Sequence, residues 1–314
     1  MRIAAVVVTH NRPQLLRQAL AALRAQTRPL DAIYVVDNAS DAPGVAGLEG
    51  LGDGGGGGGG GGGADLIVLR SATNIGGAGG FALGMTRAFA AGHDWIWLLD
   101  DDALARPDAL ACLLAAVNGL AGPAVGAGAV CGTVREFGDI AVRHRRRYHR
   151  PTGLERSLPR AAYSGPPSRV DTASFVGFLV SASAIAEVGF PDREFFLAYD
   201  DTEYSLRLGR AGLGIWLVPG SVVEHLRERR ARLRAGPFGS KHYFTIRNRI
   251  VVARCYASLP VVPSCVALGF GAALWLASAG RLRRGALRIL WRAVRDGLAG
   301  RLGPYPLAGS GKVP

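Results

Sequence analysis

Short apolar runs alternate with segments of helical spacing along the N-terminal third of the chain. Ile3–Val8 is an unbroken run of small and β-branched residues, the pattern of a strand buried on both faces. Arg12-Pro13 then opens a stretch with Leu15, Leu16, Ala19, Leu20 and Leu23 at three- and four-residue steps, which predicts a helix. Ala32–Val36 and Leu66–Leu69 predict two more strands, Gly80–Ala91 a helix, and Trp95–Leu99 a further strand. Strands alternating with helices predict an α/β fold with a mostly parallel sheet covered on both faces. Ligands of such sheets bind at the carboxyl ends of strands. Thr9, Asp37, Asn74 and Asp100–Asp102 all follow predicted strand ends, so one crevice can collect them.

The pattern changes further along. Gly54–Gly63 is an unbroken glycine tract with nothing to bury, and predicts a flexible surface insertion. It lacks the Lys-Ser/Thr ending of a phosphate-binding P-loop. Arg135–Pro167, rich in Arg, Pro and Gly, predicts a long loop, with the run from Arg143 to Arg150 as a solvated basic face or an excursion toward an acceptor. Regular structure is expected again at Ser174–Val180, Ala184–Val188, Thr202–Ala211 and Gly214–Val218. Leu259–Gly280 carries no charge; with Pro260 and Pro263 breaking its start, roughly 17 residues remain, the lower edge of a spanning helix. Arg281, Arg284, Arg288, Arg292 and Arg295 follow at helical steps, largely off the line of Leu282, Ile289, Leu290, Ala293 and Val294. That composition suits an anionic membrane surface; the alternative is a helix packed on its own protein with a solvated basic face.

Composition narrows the partners. The formal net charge is +13 and the pI about 10.4, which implies an anionic partner such as nucleotide phosphates, acidic lipid or nucleic acid. Cys112, Cys131, Cys255 and Cys265 have no metal-type spacing and fit small residues in a reducing compartment. Met1 leads almost at once into the first strand, so no cleaved signal segment is expected.

Candidate chemistry lies in two acidic clusters. Asp100-Asp101-Asp102 closes the strand Trp95–Leu99. Three carboxylates there repel one another and are costly to desolvate without a cation. Oxygen ligands at the mouth of a sheet suit Mg²⁺ or Mn²⁺, which can bridge them to a diphosphate; a solvated acidic turn capping the next helix is the plain alternative. The second cluster, Asp200-Asp201-Thr202-Glu203, sits among Phe195, Phe196, Tyr199 and Tyr204. Apolar surroundings raise a carboxylate pKa and suit a general base, although helix capping accounts for one of these acids. His225, after the turn at Pro219-Gly220, is a candidate metal ligand or a structural histidine.

Together these motifs resemble inverting glycosyltransferases of family 2, which have the GT-A fold. The resemblance rests on Val6–Pro13, Val35–Asn38, Asn74–Phe81, the aspartate triplet, and Asp200–Tyr204 with His225, in order over roughly Met1–Leu226. Gln26-Thr27-Arg28 and Gly76-Gly77-Ala78-Gly79-Gly80-Phe81 are most similar to bacterial galactofuranosyltransferases that initiate cell-wall galactan, with related rhamnosyltransferases close behind. The resemblance implies that Thr9, Asn11, Arg12 and Asp37 line the uracil and ribose site. It implies that Asn74, Gly76 and Gly77 approach the nucleotide and donor sugar. Asp100 and Asp101 would meet the nucleotide-sugar, Asp100, Asp102 and His225 would hold Mg²⁺ or Mn²⁺, and Asp201 would be the base.

The function expected from this resemblance is metal-dependent, inverting transfer of a sugar. The expected donor is UDP-galactofuranose, with dTDP-rhamnose as alternative. The expected acceptor is a lipid-linked cell-envelope glycan at the cytoplasmic face of the plasma membrane, reached by a peripheral or C-terminally anchored enzyme. The chain lacks room for the extra domains of the large galactan-polymerising members, so one or a few additions are expected per acceptor. Residues 1–226 are expected to form the catalytic domain, and 227–314 a helical membrane-associating region. Three rivals fit less well. A dinucleotide-binding oxidoreductase would carry its glycine loop after the first strand. A nucleic-acid-binding protein would suit the charge, but no RNP, zinc or helix-turn-helix signature is present, so no nucleic-acid partner is expected. An inactive scaffold would not need the intact acids.

Overall fold

The computed structural model describes residues 1–41, 64–119, 127–226, 237–259, 261–278 and 284–305; the glycine tract and Arg281 lie outside them. The first half runs β1 (Ile3–Thr9), α1 (Pro13–Arg24), β2 (Ala32–Asp37), β3 (Asp65–Arg70), α2 (Gly76–Ala90), β4 (Trp95–Asp100), β5 (Ala103–Ala105) and α3 (Ala109–Gly119). The middle adds β6 (Ala127–Glu136), β7 (Asp139–Ile140), β8 (Arg145–His149), β9 (Leu154–Ser157), β10 (Ser168–Val170), β11 (Thr172–Ala173), β12 (Phe178–Ser181) and α4 (Ala182–Val188). Then come α5 (Asp200–Arg210), β13 (Gly214–His225), α6 (Ser240–Tyr256), α7 (Val261–Ala277) and α8 (Arg284–Leu298).

Among the described residues the main sheet has the order β10-β13-β6-β12-β4-β1-β2-β3, with β5 on β13 and β7 on β6. β3, β2, β1 and β4 are parallel neighbours, and β6 pairs parallel with β13. β12 runs antiparallel between β4 and β6, and β10 antiparallel on the edge, so the sheet is mixed. The period-two alternation of strand side chains builds a core on each face. Ile3, Ala5, Val7, Trp97 and Leu99 face Leu16, Leu20 and Leu23 of α1 and Leu110 and Leu113 of α3. Ala4, Val6, Ile96 and Leu98 face Phe81 and Met85 of α2 and Tyr204 and Leu208 of α5. Helix α2 lies tight on the sheet because Gly84 has no side chain; a Cβ there would lie 2.3 Å from Val6 Cγ1.

Two expectations need correction. The helix expected from Gly80 begins at Gly76, so the glycine-rich segment is its first turn. The long basic loop expected over Arg135–Pro167 contains β7, β8, β9 and two 3₁₀ turns, and β8 forms the centre of a three-stranded sheet with β11 and β9. Its arginines differ sharply in burial. Arg145 is fully buried, while Arg147 points outward toward Asp171 at 3.9 Å. The Arg145 guanidinium donates to the carbonyls of Gly132, His144, Ser174 and Val176, which replace its lost hydration.

The C-terminal helices are built into the structure beside α5. Phe244 of α6 stacks on Phe196 with ring centroids 4.9 Å apart. Asn248 Nδ2 donates to the carbonyls of Phe195, Leu197 and Ala198 at 3.0, 2.9 and 2.7 Å. Arg247, fully buried, donates to the same Phe195 carbonyl at 2.9 Å. These bonds hold a segment in which Phe196, Ala198 and Tyr199 have φ of 64°, 65° and 66°. Each such non-glycine conformation costs on the order of 1–3 kcal/mol, so the segment keeps its shape only where its surroundings impose it. Among the described residues no helix is long and apolar enough to cross a membrane; α7 has 17 residues.

Replacing Asn248 with Ala takes the donor from the carbonyls of Leu197 and Ala198 and leaves that of Phe195 with Arg247. It is expected to lower unfolding free energy by about 1–3 kcal/mol in urea titration. Amide exchange should rise over Phe196–Asp201 while β1 and β4 stay protected.

Candidate active site

Strand register brings the first acids together. Thr9 pairs with Asp37, and Val8 with Asp100, so the ends of β1, β2 and β4 lie side by side. The acidic turn that follows β4 divides its contacts. Asp101 points toward β1, where Thr9 Oγ1 donates to its Oδ2 at 2.7 Å and Arg12 Nη1 to its Oδ1 at 3.2 Å. Asp100 and Asp102 point the other way, toward His225. Pairing of Ala103 with His225 puts the end of β13 beside the turn, and Leu226 N donates to the Asp102 carbonyl at 2.8 Å.

Ligand atoms of Asp100, Asp102 and His225 lie within 4.8 Å of one another. His225 Nε2 is 3.1 Å from Asp102 Oδ1, yet that buried oxygen has no hydrogen bond of acceptable geometry. Two carboxylates, an imidazole and an orphaned buried oxygen fit a divalent cation that accepts oxygen and nitrogen ligands. The electrostatics show the same need for positive charge. Burial and the neighbouring charge of Asp102 push Asp100 up to about 7. Burial also acts to raise Asp102, but His225 and Arg12 outweigh it and hold Asp102 below its ordinary value. For His225 burial acts downward, and the nearby carboxylates of Asp102 and Glu136 outweigh it and push it up to about 10. Arg12 reaches Asp102 as well, at 3.2 Å, and so neutralises the turn from the solvent side.

The glycine-rich segment is anchored from β2. Asp37 Oδ1 accepts from Ser40 N, and Asn11 Oδ1 accepts from Asp41 N. Asn38, buried at the end of β2, donates to Asn74 Oδ1 at 3.1 Å and accepts from Ile75 N at 2.8 Å. Asn74 Oδ1 also accepts from Gly76 N at 2.9 Å. Gly76 has φ +73°, and a Cβ there would lie 1.9 Å from the Phe196 carbonyl oxygen, so only glycine fits. A Cβ on Gly77 would meet nothing within 4 Å. The loop thus packs directly under the strained segment that leads to the second acidic cluster.

That cluster opens α5. Asp200 is buried, and burial with the charges of Asp201 and Asp100 pushes its carboxyl well above the ordinary range. Asp201 is also raised, by burial, against the opposing charge of Arg146. Its Oδ1 accepts from Thr202 N at 2.6 Å and Thr202 Oγ1 at 3.1 Å. Of the two acids, Asp200 is the one that feels Asp100, whereas Asp201 faces the side of β8 and β9 through Arg146 and Glu155. Glu203, within the same acidic run, has a structural role: it pairs with Arg207 at 2.8 Å and accepts from Tyr256 Oη at 2.6 Å.

Sequence reasoning missed Asn38, Glu136, His144 and Asn248. Glu136 accepts from His225 Nδ1 at 3.0 Å and from His144 Nε2 at 3.1 Å, across gaps of chain that no local spacing reveals. Asn38 closes the motif Val35–Asn38, and its role shows only in its bond to Asn74.

The sequence profile described as "Glycosyltransferase like family 2" matches residues 1–241. Galactofuranosyltransferase GlfT1 of Mycobacterium tuberculosis is 37% identical over 217 residues, covering 67% of this chain and 66% of that protein. The chain therefore matches just under two thirds of that relative's length. Among solved structures, GalNAc-T7 with UDP, GalNAc and Mn²⁺ superposes with a TM-score of 0.59 at 17% identity, covering 81% of this chain and 48% of that one. S. aureus TarS 1–349 in complex with UDP-GlcNAc gives 0.56 at 13% identity, covering 96% and 84%. These structures share the GT-A fold.

Replacing Asp102 with Ala removes both a charge and a candidate ligand. Mn²⁺ affinity, followed by the free-ion EPR signal, is expected to fall by more than about 100-fold, beyond the loss typical of outer-shell residues. The far-UV circular dichroism spectrum should stay unchanged.

Proposed function

The chain belongs to the glycosyltransferase 2-like family, and from that premise we propose that it transfers galactofuranose from UDP-galactofuranose to a lipid-linked cell-envelope glycan. It is a glycosyltransferase; the donor, the acceptor and the metal are the proposal. The observation that carries it is the convergence of Asp100, Asp102 and His225 beside the glycine-rich segment, with an acid pair opening α5 close by. The support for galactofuranose is the likeness to GlfT1. Support for a UDP-linked donor is that the structural neighbours were solved with UDP or UDP-GlcNAc.

In this reading Thr9, Asn11, Arg12 and Asp37 border the nucleotide, and Asn74, Gly76 and Gly77 border the donor sugar. Asp100, Asp102 and His225 would hold Mn²⁺ or Mg²⁺, which supplies charge stabilisation for the departing diphosphate. Asp101, fixed by Thr9 and Arg12, keeps the turn in register with β1. The base takes the proton of the acceptor hydroxyl as that oxygen bonds to the anomeric carbon, and the bond from that carbon to the diphosphate breaks on the opposite face. No covalent enzyme intermediate is needed, so configuration inverts. We assign the base to Asp201, as the motif implies. Asp200 is the second reading, favoured by its electrostatic contact with Asp100.

Residues 1–226 carry the chemistry in this reading, and 227–314 the membrane contact. α8 presents Leu287 and Trp291, 56% and 64% exposed, beside the exposed Arg288 and Arg295. Val261 and Leu276 of α7 are exposed as well. The face is both apolar and basic, which suits peripheral docking on an anionic bilayer at the cytoplasmic side. Arg292 lies 3.6 Å from buried Asp296, and Arg295 2.7 Å from it, so part of the arginine stripe is tied to its own helix.

Turnover should be far greater with UDP-galactofuranose than with dTDP-rhamnose on a lipid-linked disaccharide, and should stop on chelation. Asp201→Asn should lower turnover about 10²–10⁴-fold while leaving UDP and Mn²⁺ binding intact. A large loss in Asp200→Asn with near-normal Asp201→Asn moves the base to Asp200. Preference for dTDP-rhamnose overturns the donor.

For the membrane face, Trp291→Ser with Arg288→Glu should reduce co-sedimentation with anionic vesicles and activity on a lipid-linked acceptor. Each basic residue at such a surface contributes about 1 kcal/mol, screened by salt. Activity on a short soluble acceptor should be spared. Equal binding of wild type and variant to anionic and neutral vesicles would show that α8 serves packing alone.

A further inference from the structure

Behind the candidate metal site, two histidines and a glutamate form a closed hydrogen-bonded chain. It joins the ends of β6 and β13 to the 3₁₀ turn Val142–His144. Glu136 Oε1 meets His225 Nδ1 at 3.0 Å and His144 Nε2 at 3.1 Å. His144 Nδ1 meets Ser174 Oγ at 2.7 Å, and the two imidazoles pack edge to face with centroids 5.5 Å apart. Ser174 is held in turn by Arg145, whose Nη1 reaches Ser174 Oγ and the Ser174 carbonyl at 3.2 Å each. We propose that Glu136, braced by His144, is a positioning residue that keeps the proton of His225 on Nδ1 and so directs Nε2 to the metal; this rests on the metal reading above.

The direction of each bond follows from its chemistry. An ionised carboxylate only accepts, so His225 Nδ1 and His144 Nε2 must both donate to Glu136. His144 then has Nδ1 free to accept from the Ser174 hydroxyl. With Nδ1 of His225 committed, the remaining ring nitrogen is Nε2, which faces Asp102 Oδ1 at 3.1 Å. A ligand histidine that donates its other N–H to a carboxylate has a fixed ring orientation and a more basic ligand nitrogen.

Glu136, His144 and His225 also lie close enough to suggest a second cation site. Their hydrogen bonds argue against it. Both histidines meet the same Glu136 oxygen through protonated nitrogens, and His144 Nδ1 is occupied by Ser174. The three groups satisfy one another, whereas Asp102 Oδ1, on the other side of His225, is the orphan.

The test titrates Mn²⁺ by its free-ion EPR signal and Mg²⁺ by competition, on the full chain without acceptor. UDP binding and thermal unfolding serve as controls. Imidazole matters to Mn²⁺ more than to Mg²⁺, which prefers oxygen ligands. Glu136→Ala is therefore expected to weaken Mn²⁺ binding about 10–100-fold and Mg²⁺ binding less, narrowing the preference between them. Glu136→Gln, whose amide oxygen still accepts from Nδ1, should recover most of it, and His144→Phe should lose a few-fold. Unchanged Mn²⁺ affinity in Glu136→Ala overturns the proposal, as does an equal loss for both ions with lowered thermal stability. Where Glu136→Ala does not fold, an unchanged Mn²⁺ to Mg²⁺ ratio in His144→Phe overturns it. A wild-type chain that binds UDP but no Mn²⁺ removes the metal reading itself; wild-type Mn²⁺ binding with an indifferent Glu136 removes only the positioning role.

Discussion

Three carboxylates held at one strand end cannot all remain charged without positive charge beside them, and much of the site follows from that constraint. The parallel strands of the sheet converge on the mouth where Asp100–Asp102 sit, and the turn cannot relax outward because Asp101 is tied to Thr9. The protein answers from two sides. Arg12 enters from the start of α1, and His225 from the end of β13. The second answer requires the sheet to extend past β4 through β12 and β6 to β13, so the far half of the fold serves the near half's charge. A site that draws on both halves is sensitive to the register of each.

The same constraint explains what could be read from the sequence. The parallel strands and α1 were legible because their apolar runs are long and bounded by turn residues. The acids were legible because neighbouring carboxylates at a strand end require an explanation. Asp101 shows the limit: adjacent in sequence to Asp100 and Asp102, it lies in the turn after β4, and its contacts are Thr9 and Arg12. Composition also misled. The arginine-rich stretch read as a loop because charge suggests solvent. Yet Arg145 is wholly buried, since backbone carbonyls can solvate a guanidinium as water does. Gln26, which helped to carry the family resemblance, proves to be scaffold: it bridges Ala22 and Arg106 and accepts from Leu110 N. Glu136 and His144 gave no local signal, because their meaning arises only when β6, β8 and β13 come together.

Two layers of positioning thus surround the acids. On the donor side Asn38 and Asn74 shape the backbone around Gly76, and Gly76 in turn lies against the Phe196 carbonyl. On the opposite side Asn248 and Arg247 hold the residues just before Asp200. The glycine-rich turn and the acid pair are therefore neighbours through the Phe196 carbonyl, which Gly76 approaches and to which Ala78 N donates at 3.3 Å. A displacement of either moves the other, which couples the shape of the glycine-rich turn to the placement of the acid pair.

The Asn248 clamp also bears on how this chain can be divided. The family profile ends at residue 241, and the motifs end near Leu226. A fragment trimmed to either point would keep Asp100–Asp102, Asp200, Asp201, Gly76 and Gly77. It would nonetheless discard the amide and guanidinium that hold Phe195–Ala198. Such a truncation would yield a sheet of ordinary appearance with a slack segment before α5. The segment before α5 therefore depends on α6, which lies inside the region that composition alone assigns to the membrane.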